Sequence, residues 1–309
     1  MEGIDTMFDS NHFYSHLLKG NIPAAMRYIK ECPDQMQQYA KYKDLFEDGH
    51  FLDYGVTWPL QQILDVYQQY FRDVFYLQNS PEAAEAAMLN RFSELFKLQL
   101  DAALQEQIRE RICEAFSSCG YHILCGKTSG YYGPYIWNST ETTCYDVELP
   151  DGMQRYTIRF LDGFLCRSWL DYISFGQIGT GGWTGADGII NCVKAAYHTE
   201  SEHFRVSLLK HEAQHALDLA DYPSMSSADL EYRAKLVELI YSQERNLLDS
   251  FRREADTSHS ANGHSMAASR ITEEFCNISD PSEIRQIARS LFQKSNTEMA
   301  EKYKKRCQS

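Results

Sequence analysis

His211 and His215 stand four residues apart with Glu212 between them, in the run His211-Glu212-Ala213-Gln214-His215. On a helix this spacing turns both imidazoles to one side, where they can share a metal ion, and leaves the glutamate beside it as a base. The chemistry such a trio offers is attack by a metal-activated water. Only three of the five positions are fixed, so a chain of this length meets the pattern by accident at a rate of roughly a few per hundred. Its surroundings therefore matter more than the match itself.

Those surroundings predict a buried helix. Thr199 and Glu202 have the spacing of a capping box, and Phe204, Leu208, Leu209, Ala213, Ala216, Leu217 and Ala220 give an apolar stripe at helical spacing. Burying two histidines and a glutamate without partners would be costly, and a metal is a partner that suits all three. Upstream, Gly188 to Tyr197 reads as a strand leading into this helix, one whose edge an extended peptide can join. An ordinary core strand is the equal alternative. Tyr222-Pro223 ends the motif helix, and Asp229 opens a ligand helix running to about Phe251.

A catalytic site needs a third protein ligand, and three candidates compete. Asp221 lies six residues after His215, but Asp218 stands where a glycine would let the chain turn back. Glu231 lies early in the next helix and is preferred. Glu238, seven residues further on and on the same face, is the reserve. His211-Glu212-x-x-His215 followed by helical Glu231 resembles the gluzincin clan of zinc metallopeptidases, thermolysin-like in the broad sense, over about residues 188 to 240. The resemblance implies that His211, His215 and Glu231 hold Zn²⁺ and that Glu212 is the general base of peptide-bond hydrolysis. The pattern departs at Lys235, where an aspartate would orient a ligating histidine; Asp218 is a substitute for that role. For the oxyanion donor, His264 in the loop after the ligand helix is the first candidate, with His259, Tyr197 and Tyr232 behind it.

Around this region the chain changes character twice. Residues 1–118 are dense in helix formers, with Ser80-Pro81 opening a long helix expected to continue through Leu100, Leu104 and Ile108. From Gly120 to Tyr197, glycines, aromatics and β-branched residues take over. Tyr156, Ile158 and Phe160 alternate toward one face, and Asp162-Gly163 marks a reversal into Phe164-Leu165-Cys166. Gly179-Thr180-Gly181-Gly182 lacks the Lys-Ser/Thr pair of a phosphate loop and reads as a hairpin or loop. The expected class is α+β: a helical N-terminal region (1–118), then a zincin-like catalytic region (119–309). The latter comprises a β segment over 120–197, a motif helix over about 200–220, a ligand helix over about 228–251 and a C-terminal helix from Pro281.

At 309 residues, 43% hydrophobic and 13% aromatic, the chain can bury a real core. A formal charge of −13 with no basic stripe argues against nucleic acid as a partner. No apolar run has membrane-spanning length and no signal-like start is present, so the expectation is a cytoplasmic protein without membrane contact. Nine cysteines, without Cys-x-x-Cys pairs, read as reduced thiols. The leading expectation is a zinc peptidase acting on a peptide or protein substrate. The alternative is a metal-stabilised or metal-free sensor or interaction protein with little or no hydrolysis.

Overall fold

The computed structural model describes residues 8–99, 101–185, 187–244, 246–257 and 262–303. Helices α1 (Ser10–Leu18), α2 (Ile22–Lys30), α3 (Met36–Tyr42), α4 (Leu60–Phe71), α5 (Pro81–Phe96) and α6 (Leu104–Ser118) come first. Strands β1 (His122–Leu124), β2 (Lys127–Thr128), β3 (Tyr131–Tyr132), β4 (Tyr135–Trp137), β5 (Ser139–Leu149), β6 (Gly152–Asp162) and β7 (Cys166–Arg167) follow, then α7 (Ser168–Ile173), β8 (Gly182–Thr184) and β9 (Ile190–Val193). The chain closes with α8 (His211–Asp221), α9 (Ser227–Tyr241), α10 (Leu247–Glu254), α11 (Gly263–Glu274) and α12 (Pro281–Lys302). Helices flanking segregated sheets make this an α+β fold, as the sequence implies. Among the described residues no helix is long and apolar enough to cross a membrane, and every cysteine is a free thiol.

The chain divides into two compact units: residues up to 139 with 163–179, and residues 140–162 with 180 onward. In the first, α1 to α6 and α7 bury an aromatic core that includes Phe13, Tyr42, Tyr70, Phe71, Phe75 and Trp169. Ser80 caps α5 as expected, its Oγ accepting from the Ala83 N–H at 3.2 Å. The helix does not continue through Leu104, however. Lys97 adopts a left-handed conformation (φ 55°), the Leu98 N–H donates back to the Ser93 carbonyl at 2.9 Å, and Ser93 Oγ donates to the Leu98 carbonyl. This is the helix-ending arrangement that glycine usually makes; a lysine in that place hides it from the sequence.

The second unit has a four-stranded sheet in the order β5-β6-β9-β8. Tyr156, Ile158 and Phe160 lie in β6, with Ile158 and Phe160 buried. The reversal expected at Asp162-Gly163 is not a hairpin. Gly163 turns with φ +65°, and β7 then pairs with β4 in a different sheet. β9 runs parallel to β6 and antiparallel to β8, so the strand read over 188–197 is an interior one. The edges of this sheet are β5 and β8. Behind the sheet, α9 is buried along most of its length and packs against α8, α11 and α12. It ends at Tyr241 and not near Phe251, because Ser242 turns extended and α10 starts afresh at Leu247.

Asp229 ties the start of α9 to the end of α12. Its Oδ2 accepts from Tyr303 Oη at 2.5 Å, Lys302 Nζ at 2.7 Å and Ser226 Oγ at 2.7 Å. Burial raises the carboxyl's pKa, but these donors outweigh it and hold it below the usual range. A lowered folded pKa gives stability that is present above the unfolded value, about 3.9, and is lost as pH falls. Asp229→Asn is expected to cost about 1 kcal/mol at pH 7, modest because the Lys302 end is open to solvent. In urea denaturation the gap to wild type should shrink at pH 3; an unchanged gap would mean that the charge of Asp229 is not what holds α12.

Candidate metal centre

The motif helix begins earlier and wider than an α-helix. His203 to Lys210 form a π-helical stretch that runs into α8, with the His211 N–H reaching back to the Val206 carbonyl. π-Helical turns of this kind recur at functional sites. The expected capping box at Thr199 and Glu202 does not form. Ser201 Oγ accepts from the Phe204 N–H instead, while Glu202 Oε1 accepts from Ser242 Oγ and the Gln243 and Glu244 N–H groups at 2.6–3.1 Å. Glu202 thus fixes the turn that ends α9, the helix that carries Glu231 and Glu238.

On α8 the two imidazoles lie with ring centroids 4.6 Å apart and planes at 89°. Glu231, one turn into α9, meets both: its Oε2 is 3.3 Å from His211 Nε2, and its Oε1 is 3.4 Å from His215 Nε2. All three residues are buried. Each imidazole meets a different oxygen of Glu231, and one donor atom from each of the three residues lies within 4.8 Å of the others, a group that could hold one ion. Glu231 Oε2 is also a buried oxygen whose close neighbours leave it without a well-formed hydrogen bond. A cation between these donors would satisfy it, so the residues fit a metal. Asp221 is not a member of this group.

Glu238 has a different place from the one expected. Its Oε1 lies 2.7 Å from His211 Nδ1, on the side of the ring away from Glu231. As acceptor of a hydrogen bond from Nδ1–H it stands where the outer partner of a ligating histidine usually does, with Nε2 turned to Glu231. Asp218 does not do this; it is bound to Gln214 Nε2 at 2.9 Å and Arg233 Nε at 2.8 Å. Burial works against a charged His211, but the Glu231 and Glu238 carboxylates outweigh it and raise its pKa to about 10. Burial likewise opposes an ionised Glu231, yet contacts with His211, His215 and His264 hold it well below the usual carboxylate range. Positive charge is what this pocket asks for. Glu238→Gln is expected to weaken metal affinity by ~10–100-fold in a chelator competition titration; an unaltered affinity would remove Glu238 from the site.

Glu212, beside His211, is half-buried and pinned by the edge strand: Thr184 Oγ1 lies 2.8 Å from its Oε2 and 2.9 Å from its carbonyl oxygen. His264, at the start of α11, brings Nδ1 to 2.9 Å from Glu231 Oε2, with its side chain 57% exposed. Glu254 Oε1 is 3.9 Å from the same nitrogen, and Glu254 Oε2 takes Lys235 Nζ at 2.6 Å. Lys235, the departure from the family pattern, is thus a buried cation paired within the unit. Tyr232 is committed elsewhere, its hydroxyl donating to Glu274 at 2.7 Å. Tyr197 packs its hydroxyl under Gly181, where a Cβ would come within 2.3 Å of it. Burial first, then the charges of Cys192, Glu212 and Glu238, raise the Tyr197 pKa to about 12. His259 lies outside the described residues. Neither protein-family models nor curated proteins nor solved structures yield a significant match to this chain.

Proposed function

We propose that this protein is a zinc-dependent metallopeptidase of the gluzincin type, in which His211, His215 and Glu231 hold the ion and Glu212 is the general base. The observation that carries this reading is the meeting of Glu231 with both imidazoles, beside a glutamate that is not a ligand. Two histidines and a carboxylate that leave one position open are the donor set of catalytic zinc. A purely structural site more often closes with a fourth protein ligand, which favours hydrolysis over a sensor role.

When bound, zinc would polarise a substrate carbonyl and make water acidic enough to lose a proton near neutral pH. Glu212, held through Thr184, accepts that proton and returns it to the leaving amine. His264 engages Glu231 through Nδ1, and in the ring's doubly protonated form Nε2 is the nitrogen that donates to a developing oxyanion. Tyr197, with its raised pKa, stays a neutral donor that senses the charges of Glu212 and Glu238. The test is zinc per chain in protein purified without chelator, with His215→Ala alongside, followed by cleavage of a peptide library. About one zinc per chain, lost in the variant, together with cleavage supports the proposal; zinc without any cleavage leaves only a metal-stabilised protein.

A further inference from the structure

The buried pair of histidines has an exposed counterpart in the first unit. His12 and His16 lie four residues apart on α1, with ring centroids 4.8 Å apart and planes at 79°, close to the 4.6 Å and 89° of His211 and His215. Their Nε2 atoms face each other at 3.3 Å. That distance serves either a hydrogen bond between two neutral rings or two donors sharing one ion at about 2.0–2.1 Å. His12 is not free to wander: its ring abuts Tyr28 edge-on at 4.7 Å, and the Tyr28 hydroxyl accepts from the Asp9 N–H at 2.6 Å at the start of α1. Asp9 in turn caps the helix through the Asn11 and His12 N–H groups. The ring pair is therefore set before any ion arrives, and ordering it costs little.

We propose that His12 and His16 form a second metal site, a surface clip for a divalent first-row transition ion. Both rings ligate through Nε2; the ring whose Nε2 carries the proton in the resting pair moves it to Nδ1. No third protein ligand joins them among the described residues, so water fills the remaining positions and the site exchanges its ion readily. Imidazole donors select Cu²⁺ over Zn²⁺ and Zn²⁺ over Mg²⁺ or Ca²⁺. The site does not depend on the peptidase reading, and its ion count must be separated from that of the buried centre.

Equilibrium dialysis of the full chain against Cu²⁺, and separately Zn²⁺, tests this with wild type, His12→Gln, His16→Gln and His215→Ala. His12 is exposed and His16 half-buried, and both glutamine substitutions should leave the circular dichroism unchanged. The expected result is one ion fewer per chain in His12→Gln and in His16→Gln than in wild type, with the His215→Ala chain keeping that ion. In a His215→Ala background, bound Cu²⁺ should show a two-nitrogen pattern in electron paramagnetic resonance that disappears when His12→Gln or His16→Gln is added. Equal counts in wild type and both glutamine variants would overturn the proposal, whatever His215→Ala shows.

Discussion

Glu212→Gln is expected to slow peptide hydrolysis by ~10²–10⁴-fold, the range a positioned general base contributes, while zinc content stays at the wild-type level. Gln keeps the shape of the side chain and can still meet Thr184 Oγ1, which now holds the Glu212 carboxylate at 2.8 Å, but it cannot take a proton. The loss should fall on kcat more than on KM, because in the proposed mechanism the group acts on the reacting atoms and not on substrate binding. Single-turnover kinetics with a peptide from the library would read it. A variant that cleaves at the wild-type rate would dismiss Glu212 as the base even if the metal is present.

Arg233→Met should give the largest loss of stability, about 3–5 kcal/mol. Arg233 sits at the centre of the helical layer behind the metal residues. Its Nε bonds Asp218 Oδ2 at 2.8 Å, one terminal nitrogen reaches Ser295 Oγ at 2.6 Å and Asn296 Oδ1 at 2.8 Å, and the guanidinium covers the Phe292 ring at 4.4 Å. The pair is almost fully buried, with side-chain exposures of 4% and 3%. Burial pushes the Asp218 pKa up against the pull of Arg233, so removing the arginine leaves a carboxylate that must stay charged in an apolar place or take up a proton. Chemical denaturation would measure the loss. The double variant Arg233→Met with Asp218→Asn should recover part of it, since no unpaired charge then remains; no recovery would assign the loss to packing over Phe292.

What was legible in the sequence was what is local. The His211–His215 pair needs only a helix, and Glu231 needs only a short turn and a second helix that returns beside the first. Both follow from spacing and capping residues. Glu238, the reserve ligand by spacing, faces His211 Nδ1, because spacing tells which way a side chain leaves a helix and not which nitrogen of a facing ring it meets. The ends of α5 and α9 escaped for a related reason. Lys97 makes a turn that glycine would have announced, and Glu202 holds the 242–244 turn from 40 residues away. The edge strand β8 was also hidden, since three residues beginning with glycine carry almost no strand signal.

The path of the chain through the two units sets limits on how the molecule can be taken apart. It leaves the second unit at Gly163 and rejoins it at Thr180, and the excursion carries Cys166, Trp169, Tyr172 and Ile173 into the core of the first. β6 and β9 pair in parallel across that gap, so the sheet beneath the metal residues is assembled only around a loop whose apolar side chains belong elsewhere. No single cut therefore yields two intact halves. A fragment starting at residue 140 would carry four orphaned core side chains, and a circular permutant or a paired-fragment complementation is the rational route to studying either unit alone.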